Sequence, residues 1–234
     1  AQLVISSLFA GFAIGQLVAG PLSDAIGRKR TIYIGYAIFI AGCLTSLYAT
    51  DLMTMLAGRI LQGLGAAPSR IITVAIVRDS YHGRPMARVM SIAMAVFILV
   101  PAVAPSIGQG LIIAADWHAT FQFLIGMAVI CFSWFALRQP ETLTPEKHRP
   151  FSLKAIYGGI RDFASRRMAV GYTVSAGIVF GAFLGYLSSA QQIFQTTYQL
   201  GELFPIYFGI AALAIGTASI VNSKLVMKLG MRYL

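Results

Sequence analysis

A charged side chain stands inside a long apolar stretch of the sequence. Arg59 lies within residues 52–77, and Gln62 follows it by about one helical turn. An arginine inside a bilayer costs at least ~2.5 kcal/mol, so it normally faces a watery cavity or a buried partner. Snorkelling is the weaker alternative, because Arg59 lies roughly 10 Å along a helix from Asp51. Arg70, about three turns deeper, either lines the inner mouth of the same cavity or snorkels to the opposite surface.

A second group, of glycines and charged residues, occupies a short connection between two apolar segments. It consists of Gly20, Asp24, Gly27, Arg28 and Lys29. Gly27 permits a turn with positive φ, and Gly20 permits the close approach of a neighbouring helix. The Asp24 carboxylate suits the positive end of another helix, and Arg28 suits an acidic partner. Asp79, at the end of a later apolar segment, is the nearest candidate partner for Arg28.

The sequence contains no cluster with the spacing of a metal site and no nucleophile–base pair in its apolar segments. His82, His118 and His148 lie in connections, and we assign them no function. Cys43 and Cys131 each lie in an apolar run without a nearby Cys or His, so we interpret both as small buried apolar residues. We therefore expect no metal, no cofactor and no enzymatic activity.

The composition fits a lipid bilayer as solvent. Hydrophobic residues make up 57% and charged residues 11% of the chain, with a mean hydropathy of +0.75, whereas soluble domains are about one quarter charged. The net charge of +10 would suit nucleic acid if the basic residues shared one water-facing surface. They are instead distributed over separate connections, so the expected partner is the bilayer and not nucleic acid.

Seven apolar segments are long enough to cross a bilayer as helices, which takes about 20 residues. They are residues 1–19, 32–49, 52–77, 89–114, 121–137, 169–188 and 204–221. Apart from Arg59 and Arg70, every Lys and Arg lies on one side of the predicted membrane, in every second connection between the spans. Basic residues are retained in the cytoplasm, so we predict a periplasmic N-terminus, a cytoplasmic C-terminus and an all-α membrane protein.

A charged segment with three prolines divides the predicted spans into two groups. Residues 1–137 contain five spans, residues 138–168 form a cytoplasmic linker, and residues 169–234 contain two spans. In the linker, the amphipathic stretch 153–163 either rests on anionic lipid head groups or is simply solvated. The chain begins without an initiator Met, a basic start or a cleavage site, so we predict no signal peptide and a beginning in mid-protein.

The connection between the first two spans resembles the signature of the major facilitator superfamily of transporters, G-x-x-x-D-x-x-G-R-[KR]. The matching positions are Gly20, Asp24, Gly27, Arg28 and Lys29, whereas Ala25 stands where the family often has a basic residue. The resemblance implies that this cluster, with Asp79, is a latch that holds the outward-open state.

Two further segments resemble the same family. Residues 59–67 are similar to its R-x-x-Q-G-x-G-A-A segment, which implies that Arg59 and Gln62, with Arg70 deeper, line the central cavity and take part in proton coupling. Residues 100–110 resemble the antiporter signature of drug exporters, with Gln109 in place of one glycine. The antiporter positions are Pro101, Pro105, Gly108 and Gly110. The alternative for this segment is a proline-kinked packing helix.

The resemblance implies a partial major facilitator fold that covers helices two to eight of twelve. A weak repeat supports this register, since Leu225, Gly230 and Arg232 repeat Leu22, Gly27 and Lys29. The implied protein is a monomeric drug exporter of the Bcr/CflA type in the bacterial inner membrane. It exchanges its substrate for protons by alternating access, and the proton gradient drives it without a cofactor.

The substrate side is less constrained by the sequence. No acidic residue lies at mid-membrane depth, so the proton-carrying carboxylate is expected outside the chain. Candidate pocket residues for apolar drugs are Tyr36, Met94, Tyr172, Phe180 and Phe183, with packing or lipid contact as the alternative for each. The alternative function is a permease for sugars or other metabolites. A seven-span receptor or retinal pump fits less well, because no Lys lies mid-span in the last segment.

Overall fold

The structure, a computed structural model, describes residues 2–144, 146, 148–199 and 203–229. Within these ranges every regular element is helical. The α-helices are α1 Gln2–Ile26, α2 Arg28–Leu47, α3 Leu52–Ser80, α4 Gly83–Ala114, α5 Trp117–Arg138, α6 Leu153–Ser165, α7 Arg167–Gln192 and α8 Phe204–Leu229. The predicted all-α class is therefore confirmed for the described residues.

Five helices in the described ranges are long and apolar enough to cross a membrane. They are Gln2–Ile26, Arg28–Leu47, Leu52–Ser80, Trp117–Arg138 and Arg167–Tyr186. In addition, α4 contributes the shorter apolar stretch Val103–Ala114. The other two predicted spans, 89–114 and 204–221, also fall on helices, α4 and α8. A total of seven crossings and the orientation in the membrane stay predictions.

Helix α3 lies between α1 and α2 and packs closely against both. A Cβ atom added at Gly63 would collide with the backbone of Leu8 in α1, and one at Gly65 would collide with the backbone of Phe39 in α2. Similar close approaches occur at Gly11, Gly15, Gly42 and Gly58. Small residues allow helix backbones to come this near, so the glycines of α3 bring its polar side chains close to both neighbours.

Further contacts place α5 and the C-terminal helices. Helix α5 packs on α2 through edge-to-face aromatic contacts of Phe132 with Tyr33 and Tyr36, at centroid distances of 5.1 and 5.8 Å. Helix α4 packs along α8. The end of α7 continues into a π-helical turn, Ile193–Thr197, and the start of α8 forms a buried cluster with it around Phe204 and Phe208.

Two of the helices that hold the site have an aspartate as their N-cap residue. The Asp51 carboxylate accepts a hydrogen bond of 2.9 Å from the Thr54 backbone N–H and caps α3. The Asp116 carboxylate caps α5, where it accepts a 3.0 Å bond from the His118 backbone N–H. These caps fix where α3 and α5 start, and so fix the positions of the residues in their first two turns.

The predicted connection at residues 20–30 is largely helical. Helix α1 continues to Ile26 and passes through Pro21, and α2 begins at Arg28. Only Gly27, with φ of 99°, separates the two helices. The difference has a simple cause: the polar residues mark where the helices leave the lipid, not where they end. Gly230 and Arg232, which carry the predicted repeat, lie outside the described residues.

Candidate functional site

Arg28 connects three helix ends at one end of the bundle. Its Nη1 donates to Asp24 Oδ1 and to Ser23 Oγ, each at 2.6 Å, and its Nε donates to Asp79 Oδ2 at 3.1 Å. Arg28 is only 7% exposed, so these charge-assisted bonds replace the water that its guanidinium loses. The structure thus brings together the acid and base of the signature and the Asp79 carboxylate. Their role as a latch stays a prediction.

Glu141, a residue that the sequence analysis did not single out, completes this cluster. Its carboxylate accepts the backbone N–H groups of Arg28 and Lys29, each at 3.0 Å, at the N-terminus of α2. It also accepts those of Thr142 and Leu143, each at 3.0 Å. Partial burial raises the pKa of Glu141, but the backbone hydrogen bonds outweigh that effect and hold the pKa below its ordinary value. An anion at a helix N-terminus is stabilised in this way.

The segment that carries Glu141 lies across the junction of α1 and α2. We call its described residues, 141–144, 146, 148 and 149, the strap. The Arg149 backbone N–H donates to the Asp24 carbonyl at 3.0 Å, and His148 Nδ1 lies 3.0 Å from the Ala25 carbonyl. A Cβ atom at Gly27 would lie 2.7 Å from Glu141 Oε2. Gly27 is therefore required both by its positive φ and by the space that the strap occupies.

Arg59 forms a second group with residues from three helices. Its Nη1 donates to Gln62 Oε1 at 3.0 Å, and Gln62 Nε2 donates to Cys43 Sγ of α2 at 3.1 Å. The guanidinium carbon lies 4.7 Å from the centre of the Phe121 ring of α5. Gln62, Cys43 and Phe121 are each at most 3% exposed. The contact of Phe121 was not predicted from the sequence, since no motif links it to residue 59.

The charge of Arg59 has no acidic partner in the part of the chain that the structure describes. The ion pairs found there involve Arg28 and His118, not Arg59. Within the same residues, Arg59 Nε is buried and has no hydrogen-bond acceptor. The guanidinium is therefore supported by two neutral groups, an amide and an aromatic ring. Its Nε–H donor has no partner among the described residues.

Two expectations about single residues are wrong. Gly20 makes no close helix contact, because an added Cβ would meet nothing within 4 Å among the described atoms. The buried row of α1 is Gly11, Gly15, Ala19 and Ser23, and Gly20 lies one position beside it. Cys131 is exposed, not buried, because α5 buries the row that contains Phe121 and Ala128.

The antiporter positions lie on a continuous helix. Helix α4 passes through Pro101 and Pro105 without interruption. Added Cβ atoms at Gly108 and Gly110 would meet nothing within 4 Å among the described atoms. The structure therefore does not bring these glycines against another described helix. The side chain of Pro101 lies outside the described side chains.

The remaining predicted residues lie in separate places. Tyr36 packs on Phe132 at the contact of α2 and α5. On α7, Phe180 and Phe183 contact each other at 6.0 Å, and Tyr172 is 73% exposed. Arg70 lies on the exposed surface of α3, and the side chain of Met94 is outside the described side chains. The structure does not join the described candidates into one pocket.

Known proteins resemble the chain over three quarters or more of its length. The Major Facilitator Superfamily pattern matches residues 1–234. An uncharacterized MFS-type transporter, YdgK, of Bacillus subtilis is 32% identical over 95% of this chain and 56% of its own length. A bicyclomycin resistance protein homolog of Haemophilus influenzae is 30% identical over 98% of this chain and 58% of its own length. The multidrug resistance protein MdtL of Klebsiella pneumoniae is 30% identical over 76% of this chain and 46% of its own length.

The chain spans about half the length of these relatives. The names of these relatives are those of transporters and resistance proteins, in keeping with the Bcr/CflA type. The members of this family are transporters and not enzymes. The match over all residues decides the assignment. The chain belongs to the major facilitator superfamily.

Proposed function

We propose that the chain is part of a drug exporter that exchanges its substrate for protons across the bacterial inner membrane. The observation that carries this proposal is Arg59, a charge in a helix long and apolar enough to span the membrane, held by neutral groups and without an acidic partner among the described residues. Such a charge is retained at a cost in lipid and marks a transport pathway. The names of the bicyclomycin and multidrug resistance relatives support drugs as the substrate class.

In this proposal the chain supplies helices two to eight of a twelve-helix transporter. Residues 1–137 belong to the first half, residues 138–168 connect the halves in the cytoplasm, and residues 169–234 begin the second half. The packing of α4 along α8 is a contact between these halves. The charge of Arg59 interacts electrostatically with the proton-carrying acid. The Arg28 cluster stabilises the outward-open state.

The test is ethidium accumulation in cells that express the full-length transporter, with and without a protonophore. We expect low accumulation that the protonophore raises. Arg59→Ala should raise accumulation to the level of cells without the transporter, while an immunoblot of the membrane fraction shows normal insertion. Wild-type accumulation equal to that of empty cells, across several dyes and antibiotics, would favour a metabolite permease instead.

A further inference from the structure

We propose that Phe121 is a positioning residue for Arg59: the face of its ring holds the guanidinium within the membrane in the orientation that transport requires. The inference rests on the proposed function, in which the charge of Arg59 takes part in transport. Phe121 belongs to none of the three segments that resemble family signatures. It lies on α5, and Arg59 lies on α3.

The geometry is that of a cation over an aromatic face. The guanidinium carbon lies 4.7 Å from the ring centre, within the distance at which such contacts are attractive. The ring itself is fixed, because Phe121 is 3% exposed and Trp117 meets it edge to face at 5.9 Å and 87°. A fixed ring constrains the cation that rests on it, so Phe121 acts on transport through Arg59.

The neutral character of this support has a chemical consequence. A carboxylate partner would hold the guanidinium and also cancel its charge, whereas a ring attracts the cation through its quadrupole and leaves the charge in place. Gln62 uses its oxygen for Arg59 and its nitrogen for Cys43, so the amide orientation is also defined. The full charge of Arg59 thus acts on a proton-carrying acid that approaches it.

The sign of the effect on that acid follows from electrostatics. A nearby cation lowers the pKa of a carboxyl group, and the effect weakens as the distance grows. If the ring is removed and the guanidinium moves away, the charged form of the acid loses this electrostatic stabilisation. The pH dependence of transport should then move to higher pH, which a purely structural role of Phe121 would not cause.

The experiment uses the full-length transporter, purified into liposomes, with ethidium as the substrate and an imposed pH difference. Phe121→Leu keeps an apolar side chain but removes the ring, and we expect about a tenfold lower maximal rate and a pH profile moved to higher pH. Phe121→Tyr keeps the ring face and should restore the rate and the profile. Phe123→Leu is the matched control, because Phe123 lies two residues away and is 38% exposed.

The inference is overturned if Phe121→Leu has the wild-type pH profile, or if Phe121→Tyr is impaired as much as Phe121→Leu. Should Phe121→Leu fail to insert, Phe121→Met repeats the test with another ring-free side chain.

A measurement independent of transport is the NMR signal of the Arg59 Nε–H group in arginine-labelled protein, assigned by its loss in Arg59→Lys. Removal of the ring should move this signal, and an unmoved signal contradicts the contact. Normal transport by Arg59→Ala would remove Arg59 from the coupling role and so overturn the inference, whereas a wild-type protein that moves no ethidium would contradict the proposed function and leave the NMR result standing.

Discussion

Glu141 and Arg28 show how single side chains join distant parts of this chain. The Glu141 carboxylate binds the first backbone N–H groups of α2 from a segment 113 residues later in the sequence. Arg28 links the ends of α1, α2 and α3 through Asp24 and Asp79. Both side chains act at the same junction, so the loss of either removes a connection between helices and not only a local contact.

The charge of Glu141 is expected to hold the strap on the N-terminus of α2. Glu141→Gln keeps the shape of the side chain but removes the charge that favours a helix N-terminus. We expect the strap to open more often, and therefore to exchange backbone hydrogens faster, at neutral pH. Hydrogen exchange of the full-length protein, followed by mass spectrometry, measures this. Glu146→Gln is the control, because Glu146 is an exposed acid of the same segment.

The effect of Glu141 has a defined pH dependence. Its pKa in the folded protein is below the ordinary value for glutamate, so its contribution to stability is fully present above that ordinary value. It is lost as the pH falls through the lower value of the folded state. The difference in Tm between wild type and Glu141→Gln should therefore be constant near neutral pH and disappear in acid. A difference that grows in acid would contradict this account.

Part of the residue-scale arrangement was visible in the sequence. Asp79 was identified as a candidate partner of Arg28, because it is an acid at the end of an apolar segment on the same predicted side. Glu141 also lies on that side, directly after an apolar segment, but its partners are backbone N–H groups, which every residue carries. Phe121 is one phenylalanine among 15, and only the packing of α5 places it on Arg59.

At the scale of elements, α3 is the helix against which α1 and α2 both pack. Its two neighbours, α1 and α2, approach it through glycines on both sides, and its polar residues Arg59 and Gln62 lie between those contacts. Overpacked helix contacts respond by shifting backbones, because the colliding atoms belong to the main chain and not to flexible side chains. A change on the face of α3 is therefore expected to move the site as well.

Gly63→Ala tests this dependence. The added Cβ would collide with the Leu8 backbone, so we expect a loss of roughly 1–3 kcal/mol in stability. Gly126→Ala on α5 is the matched control: its added Cβ meets no neighbouring group within 4 Å among the described residues, and alanine favours a helix more than glycine does. Thermal unfolding of the purified full-length transporter gives the comparison. Equal Tm values for the two variants would show that the α1–α3 contact tolerates expansion.

Hydropathy predicted where the helices lie but not where they end. The predicted segment 1–19 became a helix that continues to Ile26, and the segment 169–188 became one that reaches Gln192. Both extensions are more polar than the spans, and hydropathy detects the lipid-embedded part alone. The amphipathic stretch 153–163 corresponds to α6, Leu153–Ser165, because its periodicity is a helical signal independent of lipid. The π-helical turn Ile193–Thr197 has no comparable signal.

At the scale of the whole molecule, the Arg28 cluster is the point at which alternating access is expected to be controlled. Several helix ends meet there, and under the proposed function a change between outward- and inward-open states is expected to alter their relative positions. A latch of this kind affects the population of states and the rate of exchange between them. It does not contribute contacts to a substrate in the middle of the membrane.

Asp24→Asn in the full-length transporter is therefore expected to slow transport with little loss of drug binding. The amide keeps the size of the side chain but removes the charge that pairs with Arg28 at 2.6 Å. The initial rate of ethidium efflux should fall, while the Kd from fluorescence titration of the purified protein stays within about twofold of wild type. An unaltered rate would contradict the latch, and a greatly weakened Kd would place Asp24 in substrate binding instead.

The position of the strap in the sequence also determines when its contacts with the junction of α1 and α2 can form during synthesis. The ribosome adds about 5–20 residues per second, so Glu141 emerges on the order of ten seconds after Arg28. During that interval the first N–H groups of α2 lack the Glu141 carboxylate that later binds them. The contacts of the strap with the junction form only after α5 has been made and the segment that follows it folds back. Helices α1 to α5 are thus all made before the residue that binds the segment after α5 to the junction of α1 and α2.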